Sequence, residues 1–187
     1  MRAVALALCL VPLATGCGEE APDPSEPAAP ALPAVQSIAG RIGWTADAPF
    51  RSQRPSNDMR DAQYSVDGHP EASLVVSHFE PEVGGGGEVA ENVARWTGQF
   101  HSPEGSPPLV ESRRVNELSV TTVDVRGEFV GRVGMGPAGP PRPGWRMRGA
   151  IVEGPRGLVF FKLLGPEAAL EATQDAFDDL LRSIHPE

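Results

Sequence analysis

The chain has 187 residues, and 25 acidic against 16 basic side chains give it a formal net charge of −9. That sign argues against a nucleic-acid binder and against an electrostatic grip on anionic headgroups, both of which need clustered basic residues. Two cysteines are too few for a disulfide-stapled scaffold, so an ordinary apolar core has to hold the fold.

The chain opens MRAVALALCLVPLATGCGEE. Arg2 precedes an apolar run over residues 3–13, too short to span a membrane, and small residues then lead to Cys17, which is the order of a secretory signal. The segment LATGC resembles the lipobox of bacterial lipoproteins, with Ala14 where that motif more often has leucine. Cys9 competes poorly, because Leu8 before it is large and the apolar run would be cut short. Residues 1–16 are therefore expected to be a lipoprotein signal peptide. Cys17 becomes the lipidated first residue, and several acyl chains on it give a stable membrane anchor where one alone binds marginally. Gly18, rather than an aspartate, resembles the enterobacterial signal for the outer membrane, so a periplasm-facing envelope location is expected. Processing removes Arg2 and no acid, which makes the chain one unit more negative. It also leaves no free cysteine, so disulfides and thiolate metal sites are excluded. Residues 17–36 continue with GEEAPDPSEPAAPALPAVQ, whose five prolines and lack of apolar periodicity read as an extended tether.

Residues 37–187 are long enough for one domain. DAQYSV (61–66) and ASLVVSHF (72–79) read as strands joined by DGHPE, whose Asp-Gly and Pro mark a turn. Glycines 84–87 lead into a helix. LVESRRVN (109–116) and SVTTVDVRG (119–127) alternate and are rich in valine and threonine, as half-buried strands are. Residues 134–144, GMGPAGPPRPG, form a loop. It is read as a plain connector, with a polyproline docking segment as the alternative. WRMRGAIVEG (145–154) and GLVFFKLLG (157–165) pair around a turn at EGPRG. Residues 166–184 then predict a helix with Pro166 at its first position and Leu170, Thr173, Phe177, Leu180, Leu181 and Ile184 on one face. Runs of adjacent strands with few helices predict an α+β domain, an antiparallel sheet covered by helices.

GGGGEVAENVARWTGQF (84–100) invites a phosphate-loop reading, and spacing rejects it. Val89 stands where a dinucleotide fingerprint needs its last glycine, and no lysine follows as a P-loop requires. Glu88 in the first turn would repel an anion, so the glycines serve to turn the chain. On the helix, Val89, Val93, Trp96 and Phe100 form an apolar stripe, and Glu88, Asn92, Arg95 and Gln99 lie beside it. Asn92, Arg95 and Gln99 either face a groove walled by Trp96 or form a solvated surface with an Arg95–Glu91 pair.

Lys162 is the only lysine among sixteen basic residues, and it interrupts the apolar run LVFFKLL. Alternation puts it on a face with Leu158, Phe160 and Leu164. Two readings stand: an ammonium serving a ligand or paired with a carboxylate such as Asp124, or a stem on the sheet with the amine reaching water. His69, His78, His101 and His185 show no metal-ligand spacing. No nucleophile elbow is present, and Asp178–Asp179 sit on the polar face of the last helix.

The stretch GGGGEVAENVARWTGQF, with MRDAQYSVDG and LVVSHF before it and GAIVEGPRGLVFFKLLGP after it, resembles small bacterial lipoproteins related to the PsbP-like domain. The superfamily takes its name from the extrinsic subunit P of the plant oxygen-evolving complex. The resemblance covers residues 41–184 and rests on Gly86, Gly87, Asn92, Arg95, Trp96, Gln99 and Phe100. It implies an α/β/α sandwich, a central antiparallel sheet between helices, and an accessory or docking role without catalysis; the photosystem role does not carry over. The expectation is a non-catalytic binding module of the cell envelope with a protein partner. Its candidate binding residues are Asn92, Arg95, Trp96, Gln99 and Lys162, and no cofactor or metal is expected. The competing reading is a small-ligand carrier or enzyme using a pocket between sheet and helix.

Overall fold

A computed structural model describes residues 35–80, 86–132 and 139–187. The signal, Cys17, nearly all of the tether, Gly84 and Gly85, and residues 134–138 of the loop lie outside the described residues. The described part belongs to one compact unit, Pro33–Glu187. In chain order it holds β1 (Val35–Ala39), β2 (Ile42–Ala46), β3 (Phe50–Gln53), β4 (Ala62–Val66), β5 (His69–Phe79), α1 (Val89–Thr97) and β6 (Phe100–His101). There follow β7 (Leu109–Val115), β8 (Leu118–Phe129), β9 (Arg142–Gly154), β10 (Gly157–Pro166), α2 (Glu167–Ala172), α3 (Gln174–Ser183) and β11 (His185–Pro186). Strand β1 thus begins inside the last two residues assigned to the tether.

The large sheet has eight strands, with order β3-β4-β5-β10-β9-β8-β6 and β7 also pairing β8; β1, β2 and β11 make a second, small sheet. Described pairings in both sheets are antiparallel, and short connections make β1–β2, β4–β5, β7–β8 and β9–β10 hairpins. Strands β9 and β10 are central, and β10 is nearly continuously apolar apart from Lys162, because it is covered on both faces. Along β10 the side chains alternate. Val159, Phe161 and Leu163 join one core with Leu170, Phe177, Leu180 and the small sheet's Ile42 and Trp44. Phe160 and Leu164 join the other, with Trp96, Met147, Ile151 and Phe129. Trp44 meets Phe161 edge-on at 5.1 Å, and its Nε1 donates to Tyr64 Oη at 3.0 Å.

The architecture is richer in strand than the expected α/β/α sandwich. On one face α2 and α3 share the covering with the small sheet, and on the other stands the nine-residue α1. Strands β1, β2 and β3, all before residue 54, have no counterpart in the sequence reading. The single terminal helix also divides in two. At Thr173, buried at the junction, Oγ1 donates to the Ala169 carbonyl at 3.0 Å, and φ −107°, ψ 9° breaks the helical path. A threonine hydroxyl that bonds back one turn bends a helix in this way.

Candidate functional site

Helix α1 is entered through glycines that adopt the left-handed region, φ 94° at Gly86 and 61° at Gly87, where a side chain would be strained. Glu91 turns back to accept from the Glu88 amide at 3.4 Å and is not paired with Arg95. Asn92 is buried at 1 % exposure. Its Nδ2 donates to the Gly86 carbonyl and, at 2.9 Å, to that of Glu88, while its Oδ1 accepts from Arg95. The asparagine therefore fastens the glycine turn to the helix and aims the arginine; it does not itself line a groove.

The next turn carries Trp96, 5 % exposed and edge-on to Phe160 at 5.9 Å. It comes this close to the sheet because β9 has glycine beneath it. A Cβ on Gly149 would lie 2.4 Å from the indole. Beside the indole opens a groove of about 190 Å³. Phe160, Lys162 and Leu164 of β10 and Val75 of β5 form its floor, with Ser73, Ser77 and Phe79 along β5. Arg95 and Trp96 wall it, and Arg60 and Arg132 reach it from the loops before β4 and after β8.

Lys162 is half-buried on that floor, opposite Gly149 on β9 and Val75 on β5. Its Nζ donates to Gln99 Oε1 at 2.7 Å and stands 6.0 Å from the Trp96 ring centre. Loss of water, and secondarily repulsion from Arg95, lower it from 10.5 to about 8. The carboxylate pairing with Asp124 does not form. Asp124 lies on the opposite face, where it accepts from Arg146 at 2.8 and 2.5 Å and sits 3.7 Å from Arg148. Arg148 in turn donates to Asp178 of α3 at 2.8 Å.

The two faces thus treat charge differently. On the α3 side two half-buried cations, Arg146 and Arg148, are neutralised by Asp124 and Asp178. The four on the groove (Arg60, Arg95, Arg132 and Lys162) form no ion pair among the described residues. Where they have side-chain partners these are neutral amides: Gln63 for Arg60, Asn92 for Arg95, Gln99 for Lys162. No acidic side chain lines the groove among the described residues. Chemically the groove presents positive charge beside aromatic carbon, an arrangement complementary to an anion with an apolar body.

Of the residues singled out by sequence, Arg95, Trp96 and Lys162 come together at the groove, Gln99 supports Lys162 from behind, and Asn92 supports Arg95. Arg60, Arg132 and Phe79 were not legible. The two arginines lie in loops without periodicity, and only the pairing of β4 with β5 and the end of β8 bring them near. The histidines are dispersed, and no group of three or more potential metal ligands occurs among the described residues. No described helix is long and apolar enough to cross a membrane.

No protein-family model matches the sequence, and no curated protein is similar to it. Among solved structures the chain is similar to the solution structure of cyanobacterial PsbP (CyanoP) from Synechocystis sp. PCC 6803. The TM-score is 0.54 at 13% identity, over 90% of this chain and 99% of that one. It is also similar to a protein of unknown function, PA94 from Pseudomonas aeruginosa, at TM-score 0.42 and 13% identity, over 82% and 97% of the two chains. The first likeness shows that the domain has the PsbP-like fold; function does not follow from fold at such identity.

Proposed function

We propose that this chain is a lipid-anchored, non-catalytic binding module of the bacterial cell envelope, held by Cys17 at the outer membrane or another periplasm-facing surface. The groove between α1 and strands β5 and β10 is its binding site. One observation carries the proposal: four cations that form no ion pair among the described residues converge with an indole on one groove, in a chain of net charge −9. Leaving a half-buried ammonium without a counter-ion costs stability, and a site that receives an anion gives that cost a use. A binding role is favoured over catalysis because the neighbours of Lys162 are arginines and an amide, groups that hold an anion and do not relay a proton. The accessory role of the PsbP-like resemblance agrees with this.

The test is a crosslinked pull-down of the full-length, lipidated protein from its own membranes beside Arg95→Ala. Native mass spectrometry of the same samples would follow bound small molecules. A species carried by the wild type and lost from the folded variant is expected. An identical inventory in both samples would overturn the proposal. Cys17→Ser, in parallel, should move the protein from the membrane to the soluble fraction, and retention at the membrane would remove the anchor.

A further inference from the structure

We infer that the groove takes a small organic monocarboxylate carried on a single ring or a similarly compact apolar body. This rests on the groove being the binding site, as proposed above.

Size comes first. A cavity of about 150 Å³ lined by apolar side chains accommodates one benzene ring, and this groove offers about 190 Å³. That is room for a ring and one attached polar group, and is short of the volume drug-sized ligands occupy. The walls suit such a body, since Trp96, Phe79 and Phe160 present aromatic carbon with Leu164 and Val75 beside them, and ring pairs of this kind prefer offset or edge-on contact.

Charge number comes second. The floor holds one cation, Lys162, with Gln99 occupying one of its three protons and two left to donate. One buried positive charge balances one negative charge, and a dianion at the floor would be left with uncompensated charge out of water. The arginines stand higher; Arg95 and Arg132 are exposed, where water and salt weaken them. They favour the sign of the ligand without demanding a second charge. A carboxylate meets this pattern better than a phosphate, whose two charges call for several guanidinium groups at close range. Among the described residues no competing acid faces Lys162: its neighbours across the groove are Arg95, Arg60 and Arg132, and β5 contributes serines, a valine and a phenylalanine.

Titration calorimetry of the full-length chain with benzoate, benzamide and phenyl phosphate tests the inference. Benzoate should bind one per chain, benzamide at least about tenfold more weakly, since charge-assisted hydrogen bonds are lost, and phenyl phosphate no more tightly than benzoate. Benzoate affinity should fall as the pH rises through about 8, where Lys162 gives up its proton, while benzamide affinity stays flat. Lys162→Met should lose benzoate and keep benzamide. Arg114→Ala, an exposed change on β7 away from the groove, should alter neither. Equal binding of benzoate and benzamide would make the groove merely apolar and sink the inference. Phenyl phosphate binding at least tenfold tighter than benzoate would make it a phosphate site and sink it too. Absence of binding by all three would reject this ligand class, even if an Arg95-dependent species had come down from membranes. Benzoate binding without any such species would leave the inference standing and remove the envelope role.

Discussion

Lys162 makes the sharpest claim about stability. Its lowered pKa means that the folded protein holds this proton less tightly than the unfolded chain does. Below about pH 8 both states carry the charge and the full cost of half-burying it is present. Between about 8 and 10.5 the folded state has released the proton and the unfolded state has not, so the free energy of unfolding rises with pH across that window. The fall from 10.5 to about 8 corresponds to roughly 3 kcal/mol at about 1.4 kcal/mol per pH unit. The partial exposure of Lys162 reduces this, and losing the bond to Gln99 subtracts up to about 1 kcal/mol more. Lys162→Met, close in volume and uncharged, should therefore stabilise the protein by about 1–2 kcal/mol at pH 7 and by nearly nothing at pH 10.5. Urea unfolding of both proteins at several pH values measures the difference directly, and taking that difference cancels titrations elsewhere. A variant less stable than the wild type at pH 7, or an advantage that does not change with pH, would refute the reasoning. The same substitution should abolish benzoate binding, so stability and binding move in opposite directions, as they do where a site stores strain for its ligand.

Three further outcomes follow from the contacts of Gly149, Asn92 and Asp124. Gly149→Ala brings a methyl against the Trp96 indole and should cost about 1–3 kcal/mol in urea unfolding, with benzoate binding weakened; an unchanged midpoint would mean that the indole is not seated on that glycine. Asn92→Ala leaves two carbonyls and Arg95 without their partner and should cost about 1–3 kcal/mol, again read from chemical unfolding. Asp124→Ala deprives two half-buried arginines of a shared carboxylate and should cost about 2–3 kcal/mol, whereas Asp67→Ala, which breaks the exposed pair with Arg51, should leave the midpoint unchanged; equal effects would show that burial does not separate the two pairs.

Much of the sheet was legible because its strands announce themselves. The valine- and threonine-rich alternation of residues 119–127 lies within β8, and the two apolar runs around EGPRG became β9 and β10. The region before residue 60 was silent for physical reasons. Strand β2 is buried along most of its length, so it shows no alternation, and in β3 Phe50 is the one buried side chain. The terminal helix read as continuous because Thr173 fits the apolar stripe by spacing, and spacing carries no information about where its hydroxyl points. At the site, period two correctly put Lys162 on the face of Phe160 and Leu164, and period 3.6 put Arg95 beside Trp96. Asn92 shared that row yet turned inward, because a glycine turn leaves carbonyls that need a donor. The arginines from the loops depended on strand register, which no local pattern encodes.

The large sheet meets two neighbourhoods that differ in how they hold charge: on one face Arg146 and Arg148 are closed into ion pairs with Asp124 and Asp178, and on the other the groove's cations have neutral amide partners. The backbone of the strands lies between them. Substitutions on opposite faces, such as Phe177→Leu with Arg95→Ala, should therefore combine additively, since energetic coupling between sites without shared partners is small. On the proposed reading, the exposed arginines of the groove can change, and ligand preference with them, without disturbing the core packed on the opposite face, so the sheet acts as a partition between the two.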